Sequence, residues 1–120
     1  MKYILLIYAA EKDLTEEYRE KCYVESAQLA RDLDASGKYL EASPLHPTST
    51  ATSVRVRDGK PLITDGPFAE TREQLAGYYV VDAVDLSEAV RIAARVPVAR
   101  LGTVEVRPVL EIPGLPSSPN

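Results

Sequence analysis

The sequence predicts an α+β fold, built from an antiparallel sheet with two helices. Two apolar runs of strand-forming residues lie at 3–8 and 78–81. Continuous runs of this kind are typical of strands that are covered on both faces. Two stretches with helical spacing alternate with strand-like segments along a chain of 120 residues. A chain of this length fits one domain and buries a core without disulfides.

Capping signals and apolar spacing predict the two helices. The first is expected over residues 13–36, with Asp13 or Thr15 as its N-cap and Gly37 after its end. Its apolar stripe consists of Tyr18, Cys22, Leu29, Ala30 and Leu33. The second helix begins at a capping box of Asp85 and Glu88 and ends near residue 96.

The remaining strands follow from alternation and turn residues. Strands are predicted at residues 38–42, 53–57, 60–64, 77–82 and 103–112, and one or two helical turns at 70–75. Asp58 and Gly59 join the second and third of these strands as a two-residue hairpin loop. Pro61 indicates that the hairpin lies at a sheet edge.

The element order is strand, helix, strand, hairpin, strand, helix, strand. Without the inserted hairpin this order is a ferredoxin-like βαββαβ sandwich. Two helices cover only one face of such a sheet, yet residues 3–8 and 78–81 are apolar on both faces. Since a large exposed apolar face marks an interface, we expect a homodimer stacked sheet against sheet.

Composition excludes several classes of function. The net charge is −4, with Lys and Arg scattered among acids, so no nucleic-acid or membrane partner is expected. Cys22 is the only cysteine and falls in the helical pattern, which favours a buried residue over a nucleophile. With one histidine and no cysteine pair, no metal or other cofactor is expected. The short apolar N-terminus resembles neither a signal peptide nor a membrane span, which predicts a cytoplasmic protein.

A rigid corner after the hairpin, Asp65-Gly66-Pro67-Phe68, is the most specific local feature. Gly66 can adopt positive φ, and Pro67 fixes its own φ and restricts the residue before it. Phe68, the only phenylalanine, is expected to anchor the corner in the core. The corner is either a solvated turn or a small polar site that positions Asp65.

Residues 65–79 (DGPFAETREQLAGYY) resemble the signature of the DGPF-type, YCII-related proteins. Three further pieces carry the resemblance: residues 1–8 (MKYILLIY), 51–55 (ATSVR) and 102–108 (GTVEVRP). The resemblance covers residues 1–112 as one domain and leaves 113–120 as a Pro-rich tail. It implies a ferredoxin-like fold that forms a dimeric α+β barrel.

For function, the resemblance implies a His–Asp pair in a cleft and an association with sigma-factor-type regulators. Asp65 matches the acid of the motif. His46 is the only histidine, but it lies in the loop before the hairpin. The resemblance instead places the family's histidine on or near the first helix.

The candidate chemistry therefore centres on Asp65 and His46. A carboxylate that orients an imidazole makes an acid–base pair near neutral pH, and a hairpin brings the chain back towards its start. Arg55 or Arg72 could anchor an anion, and Tyr78 could line a pocket. The alternatives are a surface loop histidine, exposed arginines and a core tyrosine.

Two functional hypotheses follow. The first is a small enzyme or enzyme-like protein that holds a small polar or anionic molecule in a cleft, with Asp65 and His46 as catalytic residues and Arg55, Arg72 and Tyr78 as ligand-binding residues. The second is a non-catalytic dimeric module that acts through protein contact, with a sigma-factor-type regulator as one such partner.

Overall fold

The computed structural model describes residues 1–116. Its strands are β1 (Lys2–Ala9), β2 (Tyr39–Pro44), β3 (Thr52–Arg57), β4 (Lys60–Asp65), β5 (Gln74–Asp82) and β6 (Thr103–Pro108). Its helices are α1 (Glu16–Ala35) and α2 (Leu86–Ala93), with short 3₁₀ turns at Glu11–Asp13, Thr48–Thr50 and Pro97–Arg100. All strand pairs are antiparallel. The predicted α+β class is confirmed.

The main sheet has the strand order β2-β5-β1-β6, and β3 and β4 form a separate hairpin. Strand β1 lies in the interior of the sheet, paired with β5 on one side and β6 on the other. Helix α1 begins where predicted, since the Thr15 side chain accepts a hydrogen bond from the Tyr18 amide at 3.1 Å. Helix α2 likewise starts after Asp85, which accepts from the Glu88 amide at 2.9 Å.

One face of the sheet carries the core. Every second residue of β1 is buried, from Tyr3 to Ala9, and Leu5 is completely inaccessible. These side chains form one cluster with Leu29 and Leu33 of α1 and with buried residues of α2. Both helices therefore pack on the same face, as the apolar stripes predict.

The opposite face of the sheet is apolar at its centre and only half-buried. Its central residues are Ile4, Leu6 and Tyr8 of β1 with Tyr78 and Val80 of β5. The register places Leu6 beside Tyr78 and Ile4 beside Val80. We call this set the outer face. Strand β1 is thus apolar on two faces, of which the helices cover one.

The hairpin of β3 and β4 extends from the rest of the molecule. Asp58 and Gly59 have φ angles of 51° and 73°, as a tight primed turn requires. Val54 and Ile63 are paired across the hairpin and remain 60% and 68% exposed. The radius of gyration, 16.0 Å, exceeds the roughly 14 Å of a compact chain of this length.

Three local predictions are wrong: helical turns at 70–75, a last strand that extends to residue 112, and a buried Phe68. Residues 70–75 contain no helix, since β5 already begins at Gln74. The Gln74 side chain instead donates to the Thr71 carbonyl oxygen at 2.6 Å and accepts from the Glu11 amide at 2.8 Å, which fixes an extended path. Strand β6 ends at Pro108 rather than at residue 112.

Phe68 is also placed differently from the prediction. It is 80% exposed rather than anchored in the core, because the corner lies beyond the sheet, where a single chain has no core to receive it. In the predicted tail, residues 113–116 are exposed, and 117–120 lie outside the described residues. No helix among residues 1–116 is long and apolar enough to cross a membrane.

Glu88 links α2 to the segment between α1 and β2 and makes stability depend on pH. Its carboxylate accepts from Lys38 Nζ at 2.6 Å and from the Val84 amide at 3.0 Å. These bonds, that of Lys38 above all, hold the pKa of Glu88 below its ordinary 4.5. The stability they contribute is complete above pH 4.5 and is lost as the pH falls through the lowered value.

We therefore expect Glu88→Gln to lower the free energy of unfolding more at pH 7 than at pH 3. Urea denaturation at both pH values measures the difference. Glu70→Gln is the matched control, because Glu70 is exposed and its side chain has no partner among residues 1–116. An equal loss at both pH values would show that the carboxylate charge contributes nothing.

Candidate functional site

A cavity of about 280 Å³ lies between α1 and the part of the sheet formed by β2 and β5. We call it the α1 cavity. Its lining is mostly apolar and includes Ile7, Leu14, Leu45, Pro47 and Val98. Ligand pockets are generally concave and apolar with a few polar groups, and this cavity has that character.

Small side chains on both walls leave this space open. Helix α1 contributes Ser26, Ala27 and Ala30, and the sheet contributes Ala42 and Gly77. Gly77 also lets the backbone of β2 approach β5 closely, since an added Cβ would lie 2.8 Å from the Ser43 carbonyl oxygen. Larger side chains at these positions would fill the space between α1 and the sheet. The cavity therefore depends on the small size of these residues.

Two ionic side chains, Arg19 and Glu11, line the cavity and differ in their bonding. The Glu11 carboxylate accepts from the Thr48 amide at 2.8 Å and from Thr48 Oγ1 at 2.6 Å. Arg19 is half-buried, and its guanidinium group makes no hydrogen bond or ion pair with residues 1–116. The site thus holds one acid whose oxygens are hydrogen-bonded by Thr48 and one arginine without a protein partner among residues 1–116.

Three tyrosines contribute side chains to the lining, Tyr23, Tyr39 and Tyr79, whereas Tyr78 adjoins the cavity from β5 and carries its side chain on the outer face. Tyr79 is buried, and its hydroxyl donates to the Ser26 carbonyl oxygen at 2.7 Å. Burial raises the pKa of Tyr79, so this hydroxyl stays protonated. The Tyr78 hydroxyl donates to Glu41 Oε1 at 2.9 Å. The walls thus offer aromatic surface, and the Tyr79 hydroxyl in them is already bonded to a protein group.

The sequence-predicted site residues are dispersed. Tyr78 adjoins the α1 cavity, and exposed His46 lies between two lining residues, Leu45 and Pro47. Asp65, Arg55 and Arg72 are exposed and lie outside the lining. Within residues 1–116 the side chains of His46 and Asp65 make no hydrogen bond or ion pair, to each other or to another group. Their acid–base pairing stays a prediction.

Hydrogen bonds of Gly66 and Ser53, rather than of the predicted site residue Asp65, hold the Asp65 corner in place. The Gly66 amide donates to the Ala51 carbonyl oxygen at 2.7 Å, and Ser53 Oγ donates to the Gly66 carbonyl oxygen at 2.8 Å. Gly66 has a φ of 100°, which explains the glycine. Further along, Thr103 Oγ1 donates to Glu73 Oε1 at 3.0 Å. The stretch is therefore rigid, although Asp65 itself has no side-chain partner.

Sequence reasoning missed Arg19, Glu11 and the cavity. Arg19, Cys22, Tyr23, Ser26 and Ala30 lie at spacings of three, four, seven and eleven residues, which places them on one side of α1. An arginine within an otherwise small or apolar stripe is the signal that could have identified the site. Among residues 1–116, no group of three or more His, Cys, Asp or Glu side chains is placed to hold a metal ion.

The fold and the cavity define a small α+β protein with an apolar, ligand-sized cavity on the helix side of its sheet. Comparison with known proteins is consistent with this class. A profile of the YCII-related domain matches residues 1–113, so the chain belongs to the YCII-related family. The chain is also similar to an uncharacterised protein of Rhizobium meliloti (strain 1021), with 39% identity over 128 residues, covering 98% of this chain and 100% of that protein.

Cys22 provides a direct probe of the α1 cavity, because it is the only cysteine and lines the site. It is 4% exposed. Burial raises the pKa of the Cys22 thiol, and a hydrogen bond with Tyr18 opposes only part of this effect. Since the thiolate is the reactive form, both inaccessibility and the raised pKa slow alkylation.

We expect iodoacetamide to modify Cys22 at pH 8 at least about tenfold more slowly in the folded protein than in urea. The rate in the folded protein should still rise between pH 8 and pH 9.5, as the thiolate population grows. Intact-mass spectrometry follows the reaction, with Cys22→Ala as the blank. Equal rates in the folded and unfolded chains would contradict a buried cysteine.

Proposed function

We propose that this YCII-related protein binds a small molecule in the α1 cavity. The observation that carries the proposal is the cavity itself. Its volume of about 280 Å³ is close to the roughly 300 Å³ at which ligand pockets begin. Small residues keep it open, and an unpaired guanidinium lies at its wall. An empty cavity and an unpaired guanidinium both lower the stability of a protein. A ligand that fills the cavity offsets this loss of stability.

A catalytic version of this proposal assigns proton transfer to His46. It is the only histidine in the chain, and both of its sequence neighbours line the cavity. Asp65 supports this version less, because its carboxylate is exposed and lies outside the lining. Binding is therefore the function that the geometry favours, and chemistry at His46 is an addition to it.

The binding site can be tested by filling it. Ala30 is half-buried, lines the cavity and packs on the core, so Ala30→Leu replaces empty volume with side-chain atoms. We expect this variant to lose affinity for the neutral probe 1-naphthylmethanol by at least about tenfold and to gain about 0.5–2 kcal/mol in stability. Titration calorimetry and urea denaturation measure the two effects.

Ala35→Leu is the matched control for Ala30→Leu. Ala35 is the last residue of the same helix and is exposed, so the substitution adds the same atoms in solvent. It should leave probe affinity within about twofold. If Ala30→Leu binds the probe as tightly as the unaltered protein does, the α1 cavity is not the binding site.

We further propose that the protein is a ferredoxin-like homodimer joined through the outer face. The strand order β2-β5-β1-β6 with both helices on one side supports this fold. The outer face supports the dimer, since Ile4, Leu6 and Val80 form a half-buried apolar centre that a second copy would cover. Stacking two such faces gives the predicted dimeric α+β barrel.

Leu6→Arg tests the dimer, because it places a charge at the centre of the outer face. We expect sedimentation of the unaltered chain to give twice the monomer mass. The variant should dimerise at least about 100-fold more weakly, since an unpaired buried charge is costly. Val24→Arg is the control, at a position on α1 that is 70% exposed. A monomeric unaltered protein at micromolar concentration would overturn the proposal.

The exposed hairpin favours a second candidate function, a contact module for another protein. Val54, Val56 and Ile63 lie on one side of the hairpin and are each at least 60% exposed. Sedimentation of Ile63→Arg tests whether this surface takes part in the homodimer or serves a different partner. Weaker dimerisation assigns the hairpin to the homodimer, whereas an unchanged dimer leaves it available for a different partner.

A further inference from the structure

We infer that the ligand of the α1 cavity is an organic anion with an aromatic or branched apolar body, and that Arg19 binds its carboxylate. This inference rests on the proposed function of the cavity and adds the chemical class of the ligand. Three observations carry it: the position of Arg19, the bonding of Glu11 and the aromatic lining.

Arg19 is held at the cavity by the geometry of α1. Cys22 and Tyr23 follow it at three and four residues, Ser26 at seven, and all of them line the cavity. The guanidinium is partly desolvated and without a partner among residues 1–116, although it remains charged at any physiological pH. A carboxylate would pair with its planar fork through two parallel hydrogen bonds.

Glu11 does not supply that carboxylate. Both of its oxygens accept hydrogen bonds from Thr48, at 2.6 Å and 2.8 Å, and neither lies within ion-pair distance of Arg19. Its backbone amide is held by the Gln74 side chain, so the residue is fixed at both ends. Arg19, the one cationic residue of the lining, is therefore unmatched by an acid within residues 1–116.

The remaining lining defines the body of the ligand. It contains Tyr23, Tyr39 and Tyr79 together with aliphatic residues, and no lysine or second arginine. A phosphate-rich ligand carries several charges and would leave most of them unpaired here. A single carboxylate attached to an apolar ring or branched chain satisfies Arg19 and fills the apolar walls without further polar groups.

The test compares two probes that share a ring and differ in charge: 1-naphthoate and 1-naphthylmethanol. We expect Arg19→Met to weaken 1-naphthoate binding by about 10- to 100-fold, the range of a charge-assisted hydrogen bond. Binding of 1-naphthylmethanol should change by less than about threefold. Arg19→Lys, which keeps the charge but lacks the fork, should fall between Arg19→Met and the unaltered protein. Titration calorimetry gives the affinities, and protection of Cys22 from iodoacetamide places each probe in the cavity.

Arg31→Met is the matched control, on the same helix at an exposed position outside the lining. It should leave both affinities unchanged, and thermal melts confirm that each variant is folded. If both probes protect Cys22 and Arg19→Met leaves 1-naphthoate affinity intact, the inference about the anion is wrong while the binding function stands. If neither probe binds or protects Cys22, the proposed function is wrong and this inference fails with it.

Discussion

Strand β1 imposes the constraint on which the rest of the structure depends. It pairs along both edges, with β5 and with β6, and it is apolar on both faces. The two helices cover one of those faces, where Leu5 is completely inaccessible. The second face keeps Ile4 and Leu6 half-buried, so the same pairing that builds the core creates a surface that favours association. The core and the proposed interface are therefore two sides of one strand.

Local signals predicted the elements well, because their causes lie within a few residues. The Thr15 and Asp85 caps and the Asp58–Gly59 turn depend on short-range hydrogen bonds and backbone angles. Phe68 was misplaced because its burial depends on what lies beneath it, which no local pattern encodes. Residues 70–75 were misassigned for a related reason. The extended path there is fixed by the Gln74 side chain, which bonds the nearby Thr71 carbonyl oxygen and the distant Glu11 amide.

The candidate site was harder to predict than the fold. Sequence reasoning favours residues with reactive or charged groups, and so it selected Asp65, His46, Arg55 and Arg72. The α1 cavity is created instead by small residues, such as Ala30 on α1 and Gly77 on β5, which carry no chemical signal of their own. Only the packing of α1 on β2 and β5 shows that these small residues face one another. Of the predicted site residues only Tyr78 adjoins this cavity, and its side chain lies on the outer face of the sheet.

The rigid Asp65 corner and the cavity are connected, which gives the corner a structural role that needs no chemistry from Asp65. The Gly66 amide binds the Ala51 carbonyl oxygen, directly after the 3₁₀ turn Thr48–Thr50. Glu11 binds the other end of that turn at Thr48, and Pro47 next to it lines the cavity. A path of hydrogen bonds thus runs from Gly66 through a single short turn to Glu11 at the cavity wall. Because Glu11 is engaged by this turn, its carboxylate is withheld from Arg19. The turn beside the corner therefore occupies the one acid of the cavity lining, and Arg19 keeps no partner among residues 1–116.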